Sequence, residues 1–548
     1  VIRQVLYGNQ YFRREFDKES IDFMLPDCFG FPASMPSIWA HCGLRGFSTQ
    51  KLTWGSAVGI PFKIGVWIGP DGKGVIAALD PGSYASALSG PVQTNPDWVA
   101  RVNANGEKYG VWADYHYYGV GDQGGAPKAE DVANYTASAA VTDGPIRVAL
   151  VSSDQMYKDI TAAQRARLPR YQGDLLLTEH SAGTLTSQAY MKRWNRKNEL
   201  LADAAERAAV AANWLGGAAY PREKLTRSWI RTLANQMHDI LPGTSIPRAY
   251  TYSWNDEIVA ANGFSAVLTN ATGAVARALD TRAGEIPIVV YNPLSIARED
   301  LVEAEVEFPD RAPAAVRVLD PAGQKVTVQI LDRGERTLRI LFPAKVEPVS
   351  WTVYAVEPAR QAPQPSPHLR VDDRVIESEH YRVRLNDAGD VASIIDKDHG
   401  DRELLEKPAQ LVFTYERPRN YPAWNMDWHD RRRPALETVG GPAKITIGER
   451  GPLRASLIVE RKARDSVIRQ EIRLAAGDPG RRVEFKTTID WQSTGCALRA
   501  AFPLTVSNPQ ATYNWELGTI ARGNNEPTKY EVPSHQWFDL TSTNGEYG

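Results

Sequence analysis

Three side chains have types and surroundings that suit acid–base or metal chemistry: Asp27, Asp122 and His238. Asp27 follows an apolar run in FMLPDCFGFP. That pattern predicts a carboxylate at the C-terminal end of a buried strand, where α/β sheets place their sites. Asp122 lies in a glycine-rich loop, YHYYGVGDQGGAP, which suits a lid over a sugar-sized ligand. His238 is predicted near the C-terminal end of a helix in NQMHDILPGTS, with Asp239 beside it as a partner for the imidazole.

Each of these residues also has an ordinary structural interpretation. Asp27 taken alone is equally well explained as a helix N-cap or a turn residue. Asp122 is equally well explained as a turn residue, and Asp114, on the strand-like segment VWADYHYY, is a competing acid. A single helical histidine is more often a packed or surface residue than a metal ligand, so His238 alone does not establish a metal site.

Composition and missing motifs exclude several classes of function. The chain has 548 residues and a formal net charge of −2, which argues against a dominant nucleic-acid surface. No uninterrupted apolar run approaches the roughly 18 residues of a transmembrane helix, so we expect neither a nucleic-acid nor a membrane partner. Three cysteines without a CxxC pair exclude a disulfide framework and a cysteine-rich zinc site. GxSxG, HExxH and phosphate-loop patterns are absent.

The chain divides into three regions, and the predicted fold class is multi-domain α/β, then α, then β. Residues 1–186 alternate strand-like segments, among them SIDFMLPD, GVIAAL and RVALVSS, with helical ones, which predicts a largely parallel sheet. Residues 187–284 carry three helical patterns with short connections, which predict a three-helix bundle. Residues 285–548 show short alternating strands, which predict a β-sandwich region. A proline-rich stretch at 357–369 suggests a linker or an irregular crossover.

Five segments that carry the candidate residues form a specific constellation. LPDCFGF, STQKLTW, YYGVGDQGGAP, EHSAGTLTSQAYMKRWNRKNE and QMHDILPGTS follow one another over roughly residues 1–270. In order and spacing they closely resemble glycoside hydrolase family 38, the retaining α-mannosidases. The β-rich region resembles the C-terminal half of the same family with less distinctive motifs. The resemblance implies a (β/α)7 barrel-like catalytic domain, a three-helix middle domain and β-sandwich domains.

The resemblance also implies a role for each candidate residue. Asp27 would be both the catalytic nucleophile and a ligand of one zinc ion, His238 would be a second zinc ligand, and Asp122 would be the general acid/base. The implied reaction is hydrolysis of terminal α-mannosyl residues of mannosides or glycans through a covalent glycosyl-enzyme intermediate. Retaining glycosidases place their two carboxylates roughly 5–5.5 Å apart. Two ligands of one zinc ion would place their donor atoms within roughly 3–4.5 Å of each other.

Four further residues are candidates for sugar contacts: Lys51, Trp54, Tyr117 and Tyr118. A packing or surface role is at least as reasonable for each of them. The family normally supplies two more zinc ligands from an H-x-D motif, which would lie upstream of Val1. We therefore expect the barrel to be incomplete at its N-terminal end and the β region at its C-terminal end. On that basis the polypeptide as it stands should bind zinc poorly and have little activity.

Two other functions remain open on the sequence. One is a catalytically inactive, carbohydrate-binding relative, against which the presence of Asp27 and His238 argues. The substitution Asp27→Ala separates the two, because it should abolish turnover and leave sugar binding largely intact. The other is a zinc-dependent barrel similar to polysaccharide deacetylases, which needs an Asp-His-His ligand set. Besides His238, the histidines that could belong to such a set lie in the N-terminal region and are His41, His116 and His180.

Overall fold

The computed structural model describes residues 1–87, 90–122, 124–282, 284–361, 368–523, 525–545 and 547. Residues 362–367 of the proline-rich stretch at 357–369 lie outside the described residues, and residues 357–359 end a β-strand. The linker assigned to it therefore stays a prediction.

The N-terminal region folds around one five-stranded sheet. Its elements are α1 (Ile2–Phe16), β1 (Asp22–Met24), α2 (Met35–His41), β2 (Gly46–Ser48), β3 (Ile64–Ile68), β4 (Gly74–Ala78), α3 (Pro96–Tyr109), α4 (Ala129–Ala140), α5 (Gln155–Asp159), α6 (Ala162–Arg167) and β5 (Arg170–Gln172). The strand order is β1-β2-β4-β3-β5, and every neighbouring pair is parallel except β3 with β4. Apolar side chains such as Trp39, Phe47 and Trp67 fill the core against this sheet, as the alternating sequence pattern predicts.

Two expectations for this region are not met as stated. The described residues form five strands with β1 and β5 at the edges, and a seven-stranded barrel is not confirmed. The segment 147–153 is not a strand, and Leu150 and Val151 are exposed. A short apolar run becomes a strand only where a neighbour pairs with it, and here β3 pairs with β5 instead.

Three long helices follow, within the predicted region 187–284. They are α7 (Ala189–Trp214), α8 (Arg222–Ala234) and α9 (Pro247–Ala278). Alanines at one face of α7 are fully buried, which lets α7 approach Phe264 of α9 and Trp229 of α8 closely. In the described part of the chain, α9 is the one helix long and apolar enough to cross a membrane by length and composition. One such helix is weak evidence, because a core helix passes the same test.

The described residues of 285–548 form many short strands and one short α-helix. They are β6 (Ile286–Asn292), β7 (Arg298–Glu307), β8 (Ala315–Leu319), β9 (Lys325–Val326), β10 (Gln329–Arg333), β11 (Thr337–Val346), β12 (Ser350–Ala359), β13 (Arg370–Val371), β14 (Val375–Glu377), β15 (Tyr381–Leu385), β16 (Val391–Asp396), β17 (Arg402–Glu403), β18 (Gln410–Tyr415), α10 (Trp428–Arg431), β19 (Glu437–Thr438), β20 (Lys444–Arg450), β21 (Arg454–Ala463), β22 (Ser466–Ala475), β23 (Glu484–Asp490), β24 (Cys496–Ala501), β25 (Ala511–Asn514), β26 (Thr519–Arg522) and β27 (Phe538–Asp539).

This β region contains two separate sandwich cores. In the first sandwich the sheet β10-β11-β7 packs on the sheet β6-β12-β8-β9 around Phe342 and Val356. In the second sandwich the sheet β13-β14-β15-β16-β17 packs on the sheet β20-β21-β22-β23 around Val383 and Leu457. Inward apolar and outward polar residues alternate along these strands, as expected for sandwich packing.

The last strands return to the N-terminal region. Arg522 of β26 is buried and its Nε donates to Asp174, at 2.9 Å. Tyr530 donates to the carbonyl of Met426 at 2.6 Å and lies 3.2 Å from the carbonyl of Thr178. The β region therefore borders the segment that follows β5, at the edge of the sheet where the strands end.

Candidate active site

Three adjacent parallel strands, β1, β2 and β4, end at one edge of the sheet and deliver the first side chains of the site. Asp27 follows β1, and Lys51 opens a single 3₁₀ turn, Lys51–Trp54, after β2. Because β1 and β2 are paired in parallel, their carboxyl ends meet, and the Lys51 ammonium forms an ion pair with Oδ1 of Asp27. Lys51 is buried and also lies 4.5 Å from the ring centre of Trp54. This pairing fixes one oxygen of Asp27 and leaves Oδ2 facing the cleft.

The second carboxylate, Asp122, is brought to Asp27 by Tyr84, which follows β4. The Tyr84 hydroxyl lies 3.4 Å from Oδ2 of Asp27 and 3.5 Å from Oδ1 of Asp122, so it can donate to either one. Both oxygens lie within 3.5 Å of the same atom, which holds them at most about 7 Å apart. Burial and the two neighbouring negative charges raise the pKa of Tyr84 well above its ordinary value, so it stays a donor.

Gly121 allows the glycine-rich loop to lie close to Tyr84. A Cβ there would meet Cδ2 of Tyr84 at 1.6 Å, and the Gly121 amide donates to the Tyr84 carbonyl at 3.0 Å. Asp122 itself has a positive φ of 67°, a conformation that aspartate tolerates better than most residues. The glycine-rich loop therefore holds its acid against the cleft, as the sequence pattern indicated.

His238 approaches Asp27 from the turn that follows α8, with Asp239 beside it. His238 lies in a turn just beyond α8, which ends at Ala234, so the helix is shorter than predicted. Its Nε2 is 3.7 Å from Oδ2 of Asp27 and 3.4 Å from Oδ2 of Asp239. Asp239 accepts a hydrogen bond of 2.6 Å from Thr244, which orients the carboxylate. Because α8 ends at Ala234, His238 lies outside the helix and its imidazole faces the edge of the sheet.

Lys192 of α7 ties this turn to the neighbouring loop. Its ammonium donates to the carbonyl of Leu241 at 2.7 Å and to the carbonyl of Ser187 at 2.5 Å. Burial lowers the pKa of Lys192 to about 8. Gly243 is required here, because a Cβ would meet the Ser187 carbonyl oxygen at 2.4 Å. The Lys192 side chain and the close approach at Gly243 therefore hold the His238 turn against the segment that precedes α7.

Asp27 and His238 meet the spacing that a shared zinc ion requires. Their facing atoms, Oδ2 and Nε2, are 3.7 Å apart, inside the roughly 3–4.5 Å expected for two ligands of one ion. An oxygen and an imidazole nitrogen are also donors that zinc accepts. In the described residues no group of three or more His, Cys, Asp or Glu side chains converges as a metal site. Asp27 and His238 therefore supply two ligands for a zinc ion, and the fit of the described residues to a zinc site is partial.

An aromatic wall from two regions of the chain borders the same cleft. A cavity of about 260 Å³ is lined by residues that include Trp54, Tyr84 and Asp122. Trp54 packs on His180, with ring centres 5.1 Å apart, and Tyr421 stands edge-on to both rings. Tyr421 belongs to the β region, so the cleft is formed by distant parts of the sequence.

His180 is held in that wall as a neutral ring. Its Nδ1 donates to the side-chain oxygen of Asn425 at 2.8 Å, and the same oxygen accepts from the Ser181 amide at 3.2 Å. Burial and the nearby Lys51 ammonium lower the pKa of His180. Cys28, next to Asp27, is also uncharged, because burial and the Asp27 carboxylate raise the pKa of its thiol to about 12. Neither residue is a nucleophile in this setting.

The competing acid, Asp114, lies in a different environment. It is buried, and it accepts hydrogen bonds from Arg101 at 2.5 Å and from His116 at 2.8 Å. Burial acts to raise the pKa of Asp114, but these partners outweigh it and hold the pKa below the ordinary value. A carboxylate held ionised by an arginine is a poor proton donor, so the geometry favours Asp122 over Asp114.

The four candidates for sugar contacts fall into two pairs. Lys51 and Trp54 lie at the cleft, as described above. Tyr117 is buried in the core, where its hydroxyl donates to Ser48 at 2.6 Å. Tyr118 packs on Tyr135, with ring centres 4.1 Å apart. The structure thus places both tyrosines in packing contacts, and it is Tyr84 that supplies the cleft hydroxyl.

Several residues of the cleft were not found by sequence reasoning. Tyr84 stands just after a buried strand, as Asp27 does, and that position is a signal that could have identified it. Tyr421 and Asn425 have no such signal, because they reach the cleft from a loop of the β region. Only the packing of distant segments brings them there.

The three histidines of the deacetylase hypothesis do not gather around Asp27. His41 contacts Asp71 at 2.9 Å, His116 contacts Asp114, and His180 contacts Asn425. Together with the finding on metal clusters among the described residues, this gives no Asp-His-His set. That alternative is therefore unsupported.

The cleft as a whole is equipped for glycoside chemistry. Two carboxylates share one hydroxyl across an open cleft, and an aromatic wall stands beside them. Such a pair can supply a nucleophile and a proton donor to a glycosidic bond, and aromatic faces pack well on sugar rings. The multi-domain fold and this site define a protein with the active-site layout of a glycosidase.

Comparison with known proteins assigns the family. The chain matches the "Glycosyl hydrolases family 38 N-terminal domain" over residues 1–174 and the "Alpha mannosidase middle domain" over residues 179–271. It matches the "Glycosyl hydrolases family 38 C-terminal domain" over residues 376–548. The chain belongs to glycoside hydrolase family 38.

Individual relatives agree with this assignment. The chain is 29% identical to Alpha-mannosidase 2C1 of Mus musculus and 28% identical to that of Homo sapiens, in each case over 99% of this chain. These alignments cover 50% and 49% of the relatives, so the chain spans about half of their length. The fold is shared with an alpha-mannosidase from Enterococcus faecalis V583 at a TM-score of 0.74 and 17% identity, over 97% of this chain and 68% of that one.

Proposed function

We propose that this chain forms the catalytic part of a retaining α-mannosidase. Its substrates would be mannosides or glycans with terminal α-mannosyl residues. The observation that carries the proposal is the placement of Asp27 and Asp122 on either side of one hydroxyl, that of Tyr84, in an open cleft. The names of the two mammalian relatives support mannose as the sugar.

In this proposal the two carboxylates act in sequence. Asp27 attacks the anomeric carbon and forms a covalent glycosyl-enzyme intermediate, while Asp122 protonates the departing oxygen. Asp122 then removes a proton from water, which attacks the same carbon and releases the sugar with its configuration retained. Lys51 supports the first step, because its ion pair with Oδ1 orients the carboxylate and leaves Oδ2 facing the cleft.

We further propose that Asp27 and His238 hold one zinc ion. When bound, the ion would supply Lewis-acid polarisation and would orient the sugar hydroxyls. Asp239 lies beside His238 and receives its own hydrogen bond from Thr244, so it orients the imidazole. Support for this comes from the 3.7 Å spacing and from the nature of the two donors.

Metal content and aryl α-mannoside hydrolysis, measured on the same purified protein, test the proposal. The turnover of this chain, which we expect to be low, should follow bound zinc: chelation should abolish it, and added zinc should restore it. NMR of the first product should show α-mannose, since retention requires it. Full turnover by metal-free protein would contradict the zinc assignment, and β-mannose as first product would contradict the covalent mechanism.

A further inference from the structure

The cavity of about 260 Å³ in the cleft lies beside the proposed acid. Its described lining includes Tyr84 and Asp122, and it does not include Asp27, the proposed nucleophile. In a retaining glycosidase the acid protonates the oxygen of the leaving group, and the nucleophile attacks the anomeric carbon. The cavity therefore lies where the leaving group of a bound substrate would lie, a step that rests on the proposed function.

One buried side chain of this cavity, that of Gln50, has an amide group without a partner. Gln50 lies two residues beyond the end of β2 at Ser48, so it stands at the carboxyl edge of the sheet. It is 5% exposed, and within the described residues its amide makes no hydrogen bond and its Nε2 is buried. Its backbone carbonyl, by contrast, accepts from the Thr53 hydroxyl at 2.9 Å. A buried amide without a partner is unfavourable, and a ligand that pairs with it removes that cost.

The rest of the lining suits a neutral ring that carries hydroxyl groups. Trp54 lines the cavity and is partly exposed, and aromatic faces pack well on sugar rings. The described lining residues include no lysine or arginine. The Asp80 carboxylate is already engaged by Arg101 at 3.3 Å and by Lys63 at 3.7 Å. The cavity therefore offers an amide and an aromatic ring, and its described lining offers no cation for an acidic leaving group.

We propose that Gln50 recognises the leaving group and that this group is a neutral sugar ring. The amide of Gln50 can donate to one hydroxyl and accept from another, which matches neighbouring hydroxyls on a sugar. The last torsion of a glutamine side chain is soft, so rotation of the amide presents either of its polar atoms to the cavity. An aryl leaving group offers no hydroxyl to Gln50 and depends on contact with Trp54 alone.

Competition between two substrates on the same enzyme tests this assignment. The substrates are an α-linked mannosyl disaccharide and an aryl α-mannoside, which share the sugar that Asp27 attacks and differ in the leaving group. Gln50→Met keeps the length of the side chain and removes the amide. The ratio of kcat/KM for the disaccharide to kcat/KM for the aryl mannoside should therefore fall by about tenfold. Because both substrates compete in one reaction, this ratio does not depend on how much of the protein is active.

Two further variants and thermal melting complete the test. Gln50→Asn withdraws the amide by one methylene and should also lower the ratio. Gln324→Met, an exposed change in the turn between β8 and β9, is the control and should leave the ratio unchanged. Gln50→Met should melt at or above the temperature of the parent protein, because it removes an unpaired buried amide.

Three results would overturn the inference. One is a ratio within about twofold of the parent in both Gln50 variants. The others are an equal loss of activity on both substrates and a fall in the melting temperature of Gln50→Met, because either would make Gln50 a structural support of its neighbour Lys51. Absence of aryl α-mannoside hydrolysis by the parent protein is a different result, since it would contradict the proposed function itself and this inference with it.

Discussion

The cleft at the edge of the α/β sheet and the interior of the helix bundle both hold carboxylates, but with different partners. In the cleft, Asp27 pairs with the Lys51 ammonium, and Asp122 lies near it. In the bundle, Glu257 is fully buried, and among the described residues it accepts a hydrogen bond from the Asn198 amide and makes no salt bridge. A carboxylate beside a cation in an open cleft can act on a bound ligand, whereas a carboxylate buried without a cation favours its protonated form. The difference in partners thus separates a reactive site from a structural one.

The largest expected effect is loss of the central carboxylate of the cleft. Asp27→Asn keeps the shape of the side chain and removes the nucleophile, so kcat/KM on an aryl α-mannoside should fall by about 10³-fold or more. Asp97→Asn, an exposed change on α3, serves as the control and should have no effect. If Asp27→Asn kept about a tenth of the activity or more, the assignment of Asp27 as the nucleophile would be contradicted.

The second effect distinguishes the two candidate acids. Asp122→Asn should lower kcat/KM by about 10²- to 10³-fold on a substrate with a poor leaving group and much less on one with a good leaving group. Asp114→Asn should show no such dependence, because Asp114 serves the ion pair with Arg101. The test is a series of aryl α-mannosides of graded leaving-group acidity. The opposite pattern would identify Asp114 as the acid.

A smaller effect is expected from the aromatic wall that the β region contributes. Tyr421→Ala removes the ring that stands edge-on to Trp54 and His180. We expect KM to rise by about tenfold with kcat nearly unchanged, since aromatic contacts of this kind contribute on the order of 1 kcal/mol. Steady-state kinetics with a disaccharide and with an aryl mannoside measure this. An unchanged KM for both would place Tyr421 outside the sugar path.

The smallest effect is on stability and comes from a buried acid in the helix bundle, Glu257, which makes no salt bridge among the described residues. Glu257 of α9 is fully buried, accepts a hydrogen bond from Asn198, and leaves Oε1 without a partner among the described residues. Burial raises the pKa of Glu257 to about 7 from an ordinary value of 4.5. Between these two pKa values, Glu257 is protonated in the folded state and ionised in the unfolded state. The free energy of unfolding should therefore fall as the pH rises from about 4.5 to 7.

Glu257→Gln removes this titration and keeps the shape of the side chain. The variant should be more stable than the parent at pH 8, by about 3 kcal/mol, and nearly equal to it at pH 4.5. Glu223→Gln, an exposed change on α8, should be neutral at both. Calorimetric melting at the two pH values measures the difference. A stabilisation that did not depend on pH would mean that Glu257 is ionised throughout.

The sequence predicted those parts of the site that depend on local pattern. Asp27 follows the short strand β1, as expected from the rule that ligands bind at the carboxyl ends of parallel strands. The 3.7 Å between the facing atoms of Asp27 and His238 agrees with the spacing expected for two ligands of one zinc ion, and their role as ligands stays a prediction. The three-helix bundle followed from periodicity, because alanine-rich α7 has one clear apolar face.

What the sequence could not predict depends on packing between distant segments. Tyr117 and Tyr118 look like ligand contacts in an aromatic run, yet both pack against other residues. The segment 147–153 has strand composition but no pairing partner. Tyr421 reaches the cleft only because the β region folds back on the α/β sheet, and no local pattern reports that contact.

The most direct test of the central claim is chemical trapping of the nucleophile. A fluorinated α-mannosyl fluoride, which slows release of the intermediate, should leave one sugar attached to the protein, and peptide mass spectrometry should place it on Asp27. Trapping should be lost in Asp27→Asn and kept in Asp122→Asn when the leaving group is fluoride. A sugar attached to any other residue, or turnover of α-mannosides without a trapped species, would contradict the account.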